Sequence, residues 1–224
     1  MKKIRVCDVV RNSVWYDPRV IKQIDEYVKA DFDVNVVGEE DDRYNANEIE
    51  RIPASVRIVK IKEKYKKFQN KFNTVLKEIS VCKSLANEIV ACKPDIIHAN
   101  DLDALLAAYM ATRRWKCKIV FDTHEVYTDN FGLASAVLKK IFWSFVEAWI
   151  IRRVDLVVCV SNAASEYFAA KYNIPKPLVV TNCAKRQVHY GQESVKSPYF
   201  EVLNHGQFYE GRGYDIMVEA AAIT

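Results

Sequence analysis

A chain of 224 residues, 50% hydrophobic and 28% charged, is long and apolar enough to bury a full core, which excludes the disordered and fibrous classes. Its formal net charge of +4 is too modest for a nucleic-acid-binding protein. The six Cys, at 7, 82, 92, 117, 159 and 183, include no Cys-x-x-Cys pair, and Cys7, Cys117 and Cys159 lie in apolar runs, so buried free thiols fit better than disulfides or zinc.

The first residues, Met1-Lys2-Lys3-Ile4-Arg5-Val6-Cys7-Asp8, are too short and too charged an opening for a signal peptide. The most apolar window, Ile141 to Ile151, is broken by Ser144 and Glu147 and falls short of a membrane span. The expectation is a cytoplasmic protein.

Residues 3–10 are Val-rich and predict a first strand. Asp17 can cap a helix that starts at Pro18, where a missing N–H does no harm, and Val20, Ile21, Ile24 and Val28 mark its apolar face. A short strand follows over Asp33–Gly38, then an acidic surface loop over 39–54, then an alternating strand over Val56–Ile61. Lys60, Lys62, Lys64, Lys66, Lys67 and Lys71 face a single nearby acid, Glu63. Such a run is usually a solvated loop and helix start; its second reading is contact with anionic lipid headgroups. A long amphipathic helix is expected over 68–92.

The strand Asp95-Ile96-Ile97-His98-Ala99-Asn100-Asp101 ends polar and leads into a helix over 102–114. The next strand does the same more abruptly: after Ile119-Val120-Phe121 come Asp122, Thr123, His124 and Glu125. An aromatic-rich helix over 135–152 is read as core first and membrane-surface contact second. The strand 155–160 closes on Ser161 and Asn162, and after a helix over 163–172 the strand from Leu178 closes on Asn182. Residues 184–198 read as a linker, Tyr199–Gly206 as a new strand, and Tyr214–Ala222 as a helix.

Strands that are near-continuous apolar runs, alternating with helices, imply an α/β fold: a doubly wound, Rossmann-like parallel sheet with helices on both faces. Ligands of such sheets bind beyond the carboxyl ends of the strands. Five strands end polar, at Arg11-Asn12-Ser13, Asn100-Asp101, Asp122–Glu125, Ser161-Asn162 and Asn182, and these ends are the candidate site. His124 is the candidate functional imidazole among them; a lone His most often bonds a loop carbonyl, but few sit on so polar a strand end. His98 lies inside a strand and reads as a packed, satisfied core residue. No two His have metal-ligand spacing, so no metal is expected.

Gly206-x4-Gly211-Arg212-Gly213 stands between a strand and a helix. It departs from a P-loop in lacking the Lys and the magnesium-binding hydroxyl. Gly still lets backbone N–H groups approach a ligand, and Arg212 adds a bidentate cation, so a diphosphate is the natural guest and a tight turn the alternative. No Gly-x-Ser-x-Gly is present, and no Gly-x-Gly-x-x-Gly follows the first strand, which argues against a hydrolase elbow and a nicotinamide fold.

In order, Asp17-Pro18-Arg19-Val20, Asp95–Asp101, Phe121–Glu125, Asp155–Ser161, Asn182, and His205-Gly206-x4-Gly211-Arg212-Gly213 before a helix with Glu219-Ala220 resemble the retaining GT-B glycosyltransferases of family 4. The resemblance implies a nucleotide-sugar donor, a sugar or lipid-linked acceptor, transfer with retention, and no metal or other cofactor. It implies an acceptor-side domain over 1–183, a linker over 184–198, and the first elements of a donor domain over 199–224. His124 matches the histidine that reaches the transferred sugar. Gly206, Gly211, Arg212 and Gly213 match the donor diphosphate loop. Asp17, Arg19, Asn100, Asp101, Asp122, Glu125, Ser161, Asn162 and Asn182 would line the acceptor side or the cleft. Where many members carry paired glycines after strand one, this chain has Val14-Trp15-Tyr16. The family's later Lys and Glu-x7-Glu would lie past Thr224, so residues 1–224 alone are expected to be inactive. The product would be a polysaccharide or glycolipid, made in the cytoplasm or peripherally at the inner membrane face. A nucleotide-sugar epimerase of the same build and a non-catalytic sugar- or partner-binding module are the alternatives.

Overall fold

A computed structural model describes residues 3–12, 14, 17–39, 52–59, 71–129, 137–183 and 213–223. The chain divides into two compact units, Met1–Asn182 and Cys183–Thr224.

The first unit is built on one sheet of seven strands: β1 (Arg5–Val10), β2 (Asp33–Glu39), β3 (Ser55–Val59), β4 (Ile96–Asn100), β5 (Lys118–Thr123), β6 (Leu156–Cys159) and β7 (Leu178–Val179). The order is β3-β2-β1-β4-β5-β6-β7. Every pairing is parallel, with Asp8 beside His98 and Asn100 beside Asp122. All carboxyl ends therefore lie on one edge, and the winding reverses between β1 and β4.

Helices α1 (Pro18–Lys29), α2 (Lys71–Cys92), α3 (Asp101–Thr112), α4 (Val137–Ile150) and α5 (Asn162–Tyr172) connect the strands. Side chains alternate between the two faces of a strand, and the core follows that period. One face gathers Cys7, Val9, Val37, Ile97, Ala99 and Phe121 against α2, α3, α4 and α5, with Trp143 and Phe168 fully buried. The other gathers Val10, Val34 and Val36 against Val20 and Ile24 of α1. Each fully buried aliphatic side chain here contributes about 1.5–3 kcal/mol relative to exposure.

The same face of β1, β4 and β5 also carries four polar, buried residues: Asp8, His98, Asn100 and Asp122. Two of them are carboxylates in a core layer, where apolar side chains would pack at lower cost. That seam is the first structural sign of a site.

Local sequence sets the ends of α1. Asp17 accepts from the backbone N–H groups of Arg19 and Val20, Pro18 begins the helix, and Lys29 stands in its last turn. The loop after β1 closes tightly over β2 at Gly38, where a Cβ would meet Val14 Cγ2 at 2.7 Å.

Several expectations change. β7 is only Leu178–Val179, shorter than the strand expected to reach Asn182, although the Val180 N–H still donates to the Cys159 carbonyl. The aromatic helix is core on one face only: Trp143 is buried, while Phe145 is 68% and Trp149 42% exposed. Cys7, Cys82, Cys92 and Cys159 are buried free thiols, Cys117 is half-buried and Cys183 exposed. The expected linker, the strand Tyr199–Gly206 and nearly all of the Lys60–Lys71 run lie outside the described residues. In the second unit the expected helix is α6 (Tyr214–Ile223). No described helix is long and apolar enough to cross a membrane.

Candidate functional site

The site lies where the winding of the sheet reverses. β5 delivers His124 just past its last residue, and α3 begins beside it at Asp101. Asp101 adopts φ +66°, a left-handed backbone that a non-glycine residue holds only under local constraint. The constraint is visible: its Oδ1 accepts the His124 backbone N–H at 3.0 Å, and its Oδ2 stands 3.0 Å from His124 Nδ1. On the other side of the ring, Nε2 lies 3.5 Å from Asp122 Oδ2. The ring is 4% exposed and is held between the two carboxylates. Burial alone would lower its pKa. Hydrogen bonding and charge from Asp101 and Asp122 outweigh burial and push it up to about 10. The imidazole is therefore a cation at neutral pH.

Asp122 is the hub. Its Oδ2 accepts from Gln23 Nε2 at 2.6 Å and lies 3.3 Å from His98 Nε2. Burial would raise its pKa, but the two histidines more than offset that and hold it well below the usual carboxylate range. His98 continues the chain of contacts to the Tyr27 hydroxyl through Nδ1. It is satisfied, as expected of a core histidine, yet it also belongs to the site's network. Asn100 donates through Nδ2 to the Asp8 carboxylate, and at 3.2 Å to the Val9 carbonyl. Asp8 is pushed up to about 6, mainly by burial, against the opposing influence of His98 and Asn100.

Beside this network lies a cluster of ions that the strand-end pattern only hints at. Arg11, just past β1, donates from Nε to Glu39 at 2.8 Å and from Nη1 to Glu78 of α2 at 2.6 Å. Lys139 of α4 reaches the other Glu78 oxygen at 3.0 Å. Burial opposes the Arg11 charge, but Asp103, Glu78 and Glu39 outweigh it and raise its pKa. Asp103 is pushed up to about 7, first by burial.

The structure brings Asn100, Asp101, Asp122 and His124 together; the other described candidates of the first unit make contacts of their own. Asp17 and Arg19 form a second group: Asp17 caps α1, accepts from Asn12 Nδ2 at 3.1 Å, and lies 3.4 Å from Arg19 Nε. Ser161 caps α5 by accepting from the Ala164 N–H, and Asn162 is the exposed first residue of that helix. Asn182 is exposed and accepts from Lys22 Nζ at 3.2 Å. Glu125 is exposed, and its carbonyl accepts from Thr123 Oγ1 at 2.7 Å. Gly206, Gly211 and Arg212 lie outside the described residues; Gly213, at φ +69°, precedes α6 in the second unit. Gln23, Tyr27 and Glu78 are the participants that strand-end reading misses. An amphipathic-helix pattern with polar residues on the wrong side is the only signal that would find the first two. Among the described residues no group of three or more His, Cys, Asp or Glu is disposed to hold a metal ion.

Comparison with known proteins places this geometry. An uncharacterized 42.6 kDa protein in the cps region of Klebsiella pneumoniae is 23% identical over 97 residues, covering 39% of this chain and 26% of that protein. The lipopolysaccharide outer core galactosyltransferase WaaB superposes with a TM-score of 0.54 at 12% identity, over 81% of this chain and 46% of that one. The UGT2 of Phytolacca americana, complexed with UDP-2fluoro-glucose and pterostilbene, gives a TM-score of 0.53 at 8% identity, over 80% and 52%. The chain thus spans about half of these structures and about a quarter of the curated relative. At such low identity the structures speak for the fold, which is that of GT-B glycosyltransferases. The family model described as Glycosyltransferase Family 4 matches residues 19–184, most of the chain, including Asn100, Asp101, Asp122 and His124, and the chain belongs to that family.

Proposed function

We propose that this chain serves the transfer of a sugar from a nucleotide-sugar donor to an acceptor with retention of configuration, in the synthesis of a polysaccharide or glycolipid. The observation that carries the reading is the charged His124, held between Asp101 and Asp122 past the carboxyl end of β5, one strand from the reversal point of an all-parallel sheet. A fixed cation at that place is suited to a sugar hydroxyl and to charge developing on a departing diphosphate. Residues 1–183 face the acceptor, with Asp17, Arg19, Asn100, Asp101, Asp122, Glu125, Ser161, Asn162 and Asn182 along the cleft. Residues 199–224 open the donor side, where Gly206, Gly211, Arg212 and Gly213 hold the diphosphate.

In the reaction, the bond from the anomeric carbon to the diphosphate oxygen breaks, and its electron pair leaves with the diphosphate. The acceptor oxygen bonds the same carbon on the same face and passes its proton to the departing phosphate. His124 contacts the sugar by turning its ring away from Asp122, while its backbone N–H stays on Asp101. The ring's small exposure makes that turn necessary.

The test is product analysis on a chain in which a complete donor side follows residues 1–224, with a panel of nucleotide sugars, with and without a sugar or lipid-linked acceptor. Acceptor-dependent release of nucleoside diphosphate, with the donor's anomeric configuration preserved by NMR, is expected. Inversion at the anomeric carbon removes the retaining assignment. Acceptor-independent epimerisation, or binding with no turnover, removes the transferase reading.

A further inference from the structure

One oxygen of the site, Asp122 Oδ2, is faced by three side-chain nitrogens. Gln23 Nε2 of α1 lies 2.6 Å away, His98 Nε2 3.3 Å and His124 Nε2 3.5 Å. The nearest of the three is the neutral one. Beside a carboxylate the Gln23 amide can present only its N–H edge, because its carbonyl oxygen would face a second acceptor. Asp122 is buried, so a donor that leaves it is not replaced by water, and a buried carboxylate short of donors is costly.

His124 is the donor that has to leave if its ring is to reach a sugar. The other two can stay. Gln23 does not ride on the segment that carries His124: α1 is seated on β1 and β2 through Val20 and Ile24, which pack with Val10, Val34 and Val36. His98 lies within β4, with the Tyr27 hydroxyl of the same helix at its Nδ1. Burial, with the Asp8 and Asp122 charges adding to it, keeps that hydroxyl protonated. It can donate to Nδ1, and the His98 hydrogen then sits on Nε2, toward Asp122. Residues of α1 thus supply one donor to Asp122 directly and orient a second.

We infer that Gln23 is a positioning residue: it keeps a donor on Asp122 while the His124 ring turns to the sugar, and so eases that turn. The inference rests on the proposed transfer, in which His124 moves, and gives Gln23 no contact with substrate.

The test is the exchange of the His124 Nε2 proton with water, read by nitrogen-edited NMR on residues 1–224 at neutral pH, in wild type, Gln23→Met and Gln23→Lys. Met matches Gln in length and helix propensity but has no donor, whereas Lys restores one. The ring proton exchanges when the ring leaves Asp122. Exchange is therefore expected to slow about tenfold in Gln23→Met, where Asp122 clings to its remaining partners, and to return at least to the wild-type rate in Gln23→Lys. Unchanged or faster exchange in Gln23→Met overturns the inference, as does slow exchange in Gln23→Lys. In a longer chain that joins residues 1–224 to a complete donor side, Gln23→Met should lower kcat about tenfold and leave the donor KM nearly unchanged; a rise in KM alone overturns the positioning role. Failure of the transferase reading shows separately, as a wild-type longer chain that turns nothing over.

Discussion

His124 sits where two carboxylates hold a ring that burial alone would keep neutral, and that has a measurable consequence. Its folded-state pKa of about 10 lies above its ordinary 6.5. The folded state therefore binds the proton more tightly, and the stability this contributes is fully present below pH 6.5 and lost as pH rises through 10. Denaturant unfolding of His124→Gln between those limits should show a flatter pH dependence than wild type; an unchanged slope would mean the ring is not charged in the folded protein. Asp122 acts in the opposite sense. Its depressed pKa contributes stability above the ordinary carboxylate range and loses it on acidification. Asp122→Asn removes one of the two carboxylates that hold the buried His124 cation, and urea unfolding at pH 7 should lose about 3 kcal/mol. A loss below half that would show that Asp101 holds the ring unaided.

At the scale of elements, α1 is the part that turns a sheet edge into a site. It lays Gln23 on Asp122, Tyr27 on His98 and Lys22 on Asn182. Its start depends on Asp17, which the sequence places both as a cap and as a cleft residue. Capping accounts for the contacts seen, so Asp17→Ala should cost about 1 kcal/mol and Asp17→Ser should recover most of it. If Asp17→Ser keeps stability but loses turnover, the acceptor role stands beside the cap. Gly38 fixes how the loop after β1 meets β2, and Gly38→Ala should destabilise by about 1–3 kcal/mol through its clash with Val14. The strands and helices themselves are legible in the sequence, because near-continuous apolar runs ending in polar residues leave few alternatives to a parallel sheet. The partners of the site are not. Gln23 and Asp122 are 99 positions apart, and Arg11 and Glu78 are 67 apart, so only the packed helices reveal them. His98 reads locally as a core residue because nothing nearby in the chain announces Tyr27 or Asp122.

At the scale of the molecule, one parallel sheet carries its polar strand ends on one edge, and a charged imidazole stands at the centre of that edge. The winding reverses between β1 and β4, and open parallel sheets bind their ligands beyond the strand ends at such a point. The edge strand β7 is too short to add to it, and Ser161 and Asn162 face solvent instead. The most direct measurement is turnover and nucleotide affinity of His124→Ala in a longer chain that joins residues 1–224 to a complete donor side. Loss of turnover by at least about a hundredfold, with nucleotide affinity nearly unchanged, is the predicted result for a residue that acts on the transferred sugar. Turnover close to wild type would contradict the account and return His124 to a purely structural role.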